Sequence, residues 1–313
     1  MTDPATGVLC VTLNVALDIT YEAGEVVPGE VNRVTHTHTH AGGKGVNVAR
    51  LLTAWDRPAS VLGLAGGPIG TAIATSLREA GIGHHLVPLA AESRRTVTVV
   101  SPGSSTGFYE AGPSVSAGEW DALRGTFETL LDTAGVVVLA GSLPPGVPED
   151  GYRQLAAAAR DRGVPVVLDA HGKPLLHVLD AAPAVVTPNE TELAEAAGLP
   201  LPVPLDLAAD AARRLVALGA QRAVATLGER GLVGVHGARA WSVSPPHVQG
   251  NPTGAGDAVV AVLADGLLTG EPWPALLRRA AATAAAAVRS PVAGVVDPAD
   301  VADLEPHVEV QEL

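Results

Sequence analysis

The sequence predicts an α/β fold: a doubly wound, mostly parallel sheet with helices on both faces and a small antiparallel β lid. Short apolar runs without polar alternation are separated by segments of helical period, which is typical of parallel strands buried on both faces. Hydrophobic residues make up 47% of the 313 residues, enough for a large core. Segments 19–40 and 96–110 instead alternate polar and apolar residues, which predicts the lid strands. We therefore expect residues 1–313 to form a single α/β domain with these two segments inserted in it.

The first elements are predicted from the N-terminal third of the chain. Residues 8–13 and 60–64 are apolar runs of strand length. Apolar residues recur with helical spacing in 45–55 and 69–80, and Gly81 follows the second segment as a helix-stop signal. These segments predict two strand–helix units at the start of the fold.

The same alternation continues to the C-terminus. The expected strands are 136–140, 164–169, 184–187 and 222–226, and the expected helices are 149–161, 190–198, 206–218, 255–268 and 273–289. In open α/β sheets, ligands bind at the carboxyl ends of the parallel strands. The lid is therefore expected to cover that end of the sheet.

Charge and composition exclude several classes of protein. The chain has 20 Lys and Arg against 33 Asp and Glu, a net charge of −13, so it lacks the basic face of a nucleic-acid binder. Its single cysteine, Cys10, cannot form an internal disulfide, which favours a reducing cytoplasm. No apolar run approaches a membrane span, and the N-terminus does not resemble a signal peptide. We expect a cytoplasmic protein that binds small molecules.

A glycine motif in residues 251–257 precedes a predicted helix. Gly254 and Gly256 allow a ligand to approach the backbone closely, and the first N–H groups of the helix are free to bind an anion. Such a hole suits the charge that develops on a transferring phosphoryl group. Asp257, in the first helical turn, could take a proton from an attacking hydroxyl. An ordinary helix start with a dipole-friendly Asp is the alternative.

A second glycine motif lies in residues 41–50. Gly42 and Gly43 would admit a small polar ligand, and Asn47, one turn into the next helix, could point to the same place. A flexible turn ahead of a helix is the alternative. Lys44 and Lys173 both follow a glycine but are not followed by Ser or Thr, so neither belongs to a P-loop.

Four further motifs accompany these two, in residues 12–18, 141–146, 188–192 and 227–231. Together the six motifs resemble the ribokinase/PfkB family of sugar kinases, and most of all its 1-phosphofructokinase and tagatose-6-phosphate kinase branch. The resemblance runs from about residue 8 to about residue 300, in family order and spacing. It implies a ribokinase-like fold and the use of ATP and Mg²⁺.

The resemblance also implies roles for individual residues. Asp257 would be the general base, and Gly254, Ala255 and Gly256 would form the anion hole. Asn189 and Glu192 would organise the metal and the ATP phosphates, with Glu192 on the metal side, and Thr226, Gly228 and Gly231 would lie beside the nucleotide. Asp18, Gly43 and Asn47 would hold sugar hydroxyls, Lys44 and Arg95 a substrate phosphate, and Ser142 would lie in a loop near the same cleft. An alignment shifted by one residue would put Arg94 in the place of Arg95.

The resemblance implies an ATP-dependent kinase that phosphorylates a primary hydroxyl of a ketohexose phosphate such as fructose 1-phosphate or tagatose 6-phosphate. A kinase of an unphosphorylated sugar or nucleoside, and a sensor that binds sugar and nucleotide without turnover, are the alternatives. The lid strands would leave unpaired edges and an apolar face in a lone chain. We therefore expect a homodimer formed through the lid.

Three histidines alternate with threonines in the first lid segment. His36, His38 and His40 would share one face of a strand. That arrangement fits a solvent-facing strand, and it also fits a transition-metal site. The closeness of this strand to Gly42 keeps a contact with substrate open.

Overall fold

The computed structural model describes residues 7–102, 104–290 and 292–313, and these form two sheets and their covering helices. The strands of the large sheet are β1 (Gly7–Thr12), β4 (Ala59–Ala65), β5 (Gly83–Pro88), β8 (Ala134–Ala140), β9 (Val166–Asp169), β10 (Val185–Val186), β11 (Arg222–Thr226), β12 (Leu232–His236), β13 (Arg239–Ser244) and β14 (Glu309–Glu312). The strands of the small sheet are β2 (Ala16–Ala23), β3 (Val34–Gly42), β6 (Arg94–Ser101) and β7 (Ser104–Tyr109).

The large sheet has the order β14-β13-β12-β11-β10-β9-β8-β1-β4-β5. From β11 to β5 every neighbouring pair is parallel, as the unalternated apolar runs predict. The other edge is antiparallel, because β12, β13 and β14 add as a meander beside β11. The doubly wound, mostly parallel fold is thus confirmed.

Ten α-helices are found in the described ranges. They are α1 (Lys44–Ala54), α2 (Gly67–Glu79), α3 (Ala117–Leu130), α4 (Gly151–Asp161), α5 (Lys173–His177), α6 (Glu190–Ala197), α7 (Leu205–Ala217), α8 (Ala255–Thr269), α9 (Trp273–Arg289) and α10 (Pro298–Leu304). Buried side chains of α3, α4, α6 and α7 fill one face of the sheet, and those of α1, α2, α8 and α9 fill the other. None of these helices is long and apolar enough to cross a membrane.

The small sheet has the order β3-β2-β6-β7, and it corresponds to the predicted lid. Its two outer pairs are antiparallel, whereas β2 and β6 run parallel in the centre. Both lid segments begin earlier than expected, at Ala16 and Arg94, and residues 24–33 form a loop between β2 and β3. The sheet shares α2 with the main body, through contacts to β2 and β3.

Candidate active site

A cavity of about 1370 Å³ lies between the carboxyl ends of the parallel strands and the small sheet. Thr12 ends β1, Ser142 lies in the loop after β8, and Asp169 and Thr226 end β9 and β11. The start of α8 and the start of α1 complete the wall. The topology therefore brings residues of all six sequence motifs to one place, and the small sheet covers them.

The start of α8 brings a carboxylate and the first backbone N–H groups of the helix to the cavity wall. Of these groups, the Ala255 N–H donates to the Pro252 carbonyl at 3.2 Å. Gly254 caps the helix at φ 88°, a left-handed conformation, and a Cβ there would lie 2.9 Å from the Cβ of Ala293. A glycine is therefore required for the turn. Gly256 borders open space, because a Cβ on it would meet no atom within 4 Å. Residues 254–257 all line the cavity.

Asp257 is a buried carboxylate with one neutral hydrogen-bond donor. Its side chain is only 7% exposed, and its Oδ2 accepts a 2.8 Å bond from Nδ2 of Asn47. Burial raises the pKa of Asp257 to about 7, the charge of Asp169 adds to the rise, and the Asn47 bond and Lys44 oppose it. A carboxylate with its pKa near neutrality is suited to act as a general base.

Asn47 reaches Asp257 because α1 begins at the cavity wall. Gly43 caps this helix at φ 113°, and Asn47 lies one turn later, with its N–H bonded to the Gly43 carbonyl. Asn47 and Asp257 are separated by 210 positions in sequence, and their buried side-chain contact joins the two glycine motifs.

Lys44 lies among carboxylates. Its Nζ is 2.9 Å from Oδ1 of Asp169, whose side chain is 5% exposed at the end of β9. Burial lowers the pKa of Lys44, but Asp169, Asp257 and Glu192 together outweigh it, so the net shift is upward and the ammonium stays charged. The side chain predicted to hold a substrate phosphate is therefore engaged with the cluster around Asp257.

Asn189 and Glu192 form a capping box at the start of α6. The Asn189 side chain accepts from the Glu192 N–H at 2.9 Å, and the Glu192 Oε2 accepts from the Asn189 N–H at 2.8 Å. Both residues line the cavity, and burial raises the pKa of Glu192. The pair thus stabilises the helix start, and Glu192, Asp169 and Asp257 each lie within electrostatic reach of Lys44.

The predicted nucleotide loop lies on the same side. Thr226 ends β11 and bridges to Asn189, and Gly228 and Gly231 bound the single turn that follows. Gly231 has φ 89°, and a Cβ there would collide with the Val243 carbonyl. Thr226, Gly228 and Gly231 all line the cavity, as the motif predicts.

The small sheet supplies a polar face to the other end of the cavity. Asp18 lies opposite His40 on β3 and Thr96 on β6, and Thr96 Oγ1 donates a short hydrogen bond to Asp18 Oδ1. Burial raises the pKa of Asp18, although Thr96, Arg94 and Arg50 lower it. A Cβ on Gly42 would collide with the Asp18 carboxylate, so this position of the motif requires glycine.

Arg95 does not line the cavity, which corrects its expected role. Successive residues of a strand face opposite sides, and on β6 the cavity side carries Arg94, Thr96 and Thr98. Arg95 points the other way, toward Glu92 and Glu110 at 3.9 and 3.6 Å. Arg94 donates to the carbonyls of Asn14 and Glu110 and, within the described ranges, has no carboxylate within ion-pair distance. The shifted alternative is therefore the one that the geometry supports.

Ser142 lines the cavity and accepts a 3.0 Å hydrogen bond from Nδ2 of Asn14. Asn14 Oδ1 and Thr12 Oγ1 are buried at the same wall without a hydrogen-bond partner in the described part of the chain. Buried polar groups are nearly always paired. Both oxygens are closed to solvent although their residues line the cavity, so a ligand would have to shift the wall to reach them.

The three histidines of β3 lie in two different surroundings. His36 and His38 pair with Glu22 at 3.2 and 2.9 Å, outside the cavity lining, whereas His40 lines it. Burial, Arg50 and His38 lower the pKa of His40 to about 4, so this ring is neutral at physiological pH. Among the described residues no group of three His, Cys, Asp or Glu side chains is placed to hold a metal ion. His40 instead joins the cavity wall.

Several residues of the cavity wall lie outside the set that the motifs predict. Arg94 and His40 enter from sequence only as alternatives, and Asp169, Thr96 and Tyr109 belong to none of the six motifs. The signal that could find them is the period of two along a strand, because Asp18, His40 and Thr96 share one face once β2, β3 and β6 are paired.

Comparisons with known proteins agree with this geometry. A model of the family described as pfkB family carbohydrate kinase matches residues 11–299. Phosphofructokinase-2 from Escherichia coli in complex with fructose-6-phosphate is similar, with a TM-score of 0.88 and 26% identity over 97% of this chain and 99% of that chain. The tetrameric inhibited form of phosphofructokinase-2 from Escherichia coli has a TM-score of 0.88 and 26% identity over 96% and 99% of the two chains. Ribokinase from Arabidopsis thaliana, complexed with ribose and ATP, has a TM-score of 0.73 and 25% identity over 96% and 99%.

Proposed function

This chain belongs to the pfkB family of carbohydrate kinases and is an ATP-dependent sugar kinase, and we propose that its acceptor is a primary hydroxyl of a phosphorylated ketohexose. Fructose 1-phosphate and tagatose 6-phosphate are the substrates of the type we propose. The observation that carries the proposal is the arrangement of the cavity: a buried base at one end and an arginine without a carboxylate partner among the described residues at the other.

Asp257 is the base in this proposal. The sugar hydroxyl loses its proton to the Asp257 carboxylate as its oxygen attacks the γ-phosphorus, and the bond from that phosphorus to the bridging oxygen of ADP breaks. The Asn47 amide holds the carboxylate in place at 2.8 Å, and burial keeps its pKa near 7. The base is then ionised in a large fraction of molecules at neutral pH, yet basic enough to take the proton.

Charge on the transferring phosphoryl group is met by backbone and by Lys44. The N–H groups at the start of α8 carry the positive end of the helix dipole, and Gly256 leaves room in front of them. Lys44 is held charged beside Asp169, within electrostatic reach of Asp257. We propose that Lys44 acts on the transferred phosphoryl group rather than on a phosphate of the sugar.

Glu192 fits a Mg²⁺ ion that arrives with the nucleotide, because this ion is usually bound through one or two carboxylates together with the substrate phosphates. Glu192 lies close enough to Lys44 and Asp169 to interact with both electrostatically. Glu192 would hold the ion, with Asn189 fixing its carboxylate through the capping box. When bound, Mg²⁺ neutralises charge on the ATP phosphates.

The sugar end of the cavity is proposed to hold hydroxyls and a phosphate. Asp18 and Ser142 supply hydrogen-bonding oxygens for hydroxyls. The Arg94 guanidinium is half-buried and its described hydrogen bonds go only to carbonyls, so it retains its charge for an anionic group. Asp18 nearby would repel a phosphate placed over it, so the phosphate is expected on the far side of Arg94.

Two neighbouring arginines provide a matched test. Arg94→Met and Arg95→Met remove one cation each from adjacent positions of β6, and only the first removes it from the cavity. Loss of a charged hydrogen bond is worth about 1.5–3 kcal/mol, so Arg94→Met should raise KM for a ketohexose phosphate by about tenfold or more. Arg95→Met should stay within about twofold. Equal effects of the two variants, or an equal effect of Arg94→Met on free fructose, would contradict the proposed phosphate.

We also propose that two copies pair through the outer face of the small sheet. Ile19, Val97 and Phe108 lie opposite one another across β2, β6 and β7, on the side away from the cavity. Phe108 is 62% exposed. An apolar row of this kind on a lone chain exposes surface that a second copy would bury.

A further inference from the structure

Two arginines and a histidine lie together at the end of the large sheet opposite to the cavity. Arg222 begins β11, His236 ends β12 and Arg239 begins β13. The register pairs Arg222 with His236 and His236 with Arg239, so all three share one face. Thr226, at the other end of β11, lines the cavity, so about 13 Å of strand separates the two places.

Only one of the three side chains has a counter-charge among the described residues. Arg239 makes two bonds of 2.6 and 2.8 Å to the Glu312 carboxylate. In the described ranges neither Arg222 nor His236 has a carboxylate within 4 Å, and the Arg222 guanidinium instead lies 5.3 Å from the centre of the Trp273 ring. His236 packs on the same ring edge-on at 6.1 Å.

Two hydrogen-bond donors of this cluster also lack an acceptor among the described residues. Arg222 Nε and Trp273 Nε1 are both buried and have no partner among the described residues. Both are donors that cannot accept a hydrogen bond. Burial lowers the pKa of Arg222, and burial together with Arg222 and Arg239 lowers the pKa of His236, so no negative group in the described ranges offsets either. A ligand that pairs with these donors must therefore supply acceptors, and the positive charge of Arg222 favours a negative ligand.

We propose that Arg222, His236 and Trp273 form a binding site for a phosphate-type oxyanion, separate from the catalytic cavity. The guanidinium presents parallel N–H donors that match two oxygens of such an anion. The Trp273 ring holds the guanidinium in position, and the exposed His236 ring borders the opening to solvent. The anion is either free phosphate or the phosphate group of a small organic ester, which the same donors would recognise.

Nuclear magnetic resonance titration of the intact protein with inorganic phosphate tests the site directly. The proposal predicts saturable shifts of the His236 ring and Trp273 Nε1–H signals, and no such shifts with potassium chloride at equal ionic strength. A parallel titration with methyl phosphate distinguishes an ester from the free ion by which of the two saturates at lower concentration. Absence of saturable shifts with both probes, or equal shifts with chloride, would overturn the proposal.

A matched pair of variants localises the binding. Arg222→Met removes the charge and keeps an apolar chain against Trp273, and it should weaken the binding of the better probe by about tenfold or more. Arg214→Met removes an exposed arginine from α7, which covers the opposite face of the sheet, and should leave the affinity unchanged. If Arg222→Met does not fold, as judged by thermal unfolding, His236→Asn serves in its place. An equal loss in Arg214→Met would overturn the assignment to this cluster. The readout is binding at named signals, so it is independent of the proposed acceptor sugar.

Discussion

Replacing Asn47 with Leu is expected to move the pH dependence of the kinase reaction to higher pH. Asn47 donates a 2.8 Å hydrogen bond to the ionised form of Asp257 inside a buried contact. Removing that donor destabilises the charged carboxylate, so the pKa of Asp257 rises from its value of about 7. Since the proposed base acts only when ionised, we expect the acid limb of the profile to follow the pKa upward.

The size of the shift follows from the strength of the bond. A buried hydrogen bond to a charged acceptor is worth about 1.5–3 kcal/mol, and about 1.36 kcal/mol corresponds to one pKa unit, so the limb should move by roughly one to two units. At pH 7 the ionised fraction would fall from roughly one half to somewhere between about 1 and 10%. The kcat/KM lost for this reason should be regained above about pH 9.

The assay is kcat/KM for the sugar against pH, because that ratio reports the free enzyme. Asn14→Leu is the matched control: it removes a cavity amide that bonds Ser142 and does not contact Asp257. It should lower kcat/KM without moving the limb. If Asn47→Leu lowers kcat/KM by the same factor at every pH, then Asn47 serves only to bind substrate and does not set the pKa of a catalytic Asp257.

Three further predictions use other parts of the structure. Gly256→Ala places a Cβ in open cavity space, so it should change the urea-unfolding free energy by less than about 1 kcal/mol while lowering kcat/KM for ATP on the order of 100-fold. Gly254→Ala should instead lower the unfolding free energy by about 1–2 kcal/mol, because Gly254 has a φ of 88° and its Cβ would contact Ala293. Equal activity losses with no difference in stability would contradict both expectations. The buried Asp265 carboxylate pairs with Arg57 and Arg279 at 2.7 and 2.9 Å, so Asp265→Asn should lower the urea-unfolding free energy by about 1–3 kcal/mol. A change below about 0.5 kcal/mol would contradict a stabilising role of these ion pairs. Val97→Lys should convert the proposed dimer to a monomer in sedimentation at micromolar concentration. Leu218→Lys, which changes an exposed apolar residue elsewhere, should leave the dimer intact. A monomeric wild type would contradict pairing through the small sheet.

The parallel strands and main helices can be predicted from sequence because their signals are local. Val136 to Ala140 is a buried apolar run, and the expected helix 273–289 coincides with α9. Helix α3 is absent from the expected elements although its signals are local too: Ser116 and Glu119 form a capping box, and Trp120, Leu123 and Phe127 follow at helical spacing. The meander β12–β14 is also absent from them, because only tertiary contacts decide which edge the C-terminal strand joins.

The candidate site likewise has residues that local sequence signals predict and residues that only the fold brings together. The two glycine motifs and Asp257 can be found from residue types and spacing, since tight turns and helix starts are local. The choice between Arg94 and Arg95 depends on the facing of β6, and one residue of register exchanges the two sides of a strand. The pairing of Lys44 with Asp169 joins residues 125 positions apart, and no local pattern predicts it.

Release of ADP by wild type and by Asp257→Asn tests whether Asp257 is the base of a kinase that acts on a ketohexose phosphate. Fructose 1-phosphate, tagatose 6-phosphate, fructose 6-phosphate and free hexoses would be compared, with sugar binding measured in parallel by calorimetry. We expect wild type to prefer a phosphorylated ketohexose, and Asp257→Asn to lose a factor of about 10² to 10⁴ in kcat while still binding that sugar. Near-normal turnover by Asp257→Asn, or a wild-type preference for a free hexose, would contradict the proposed function.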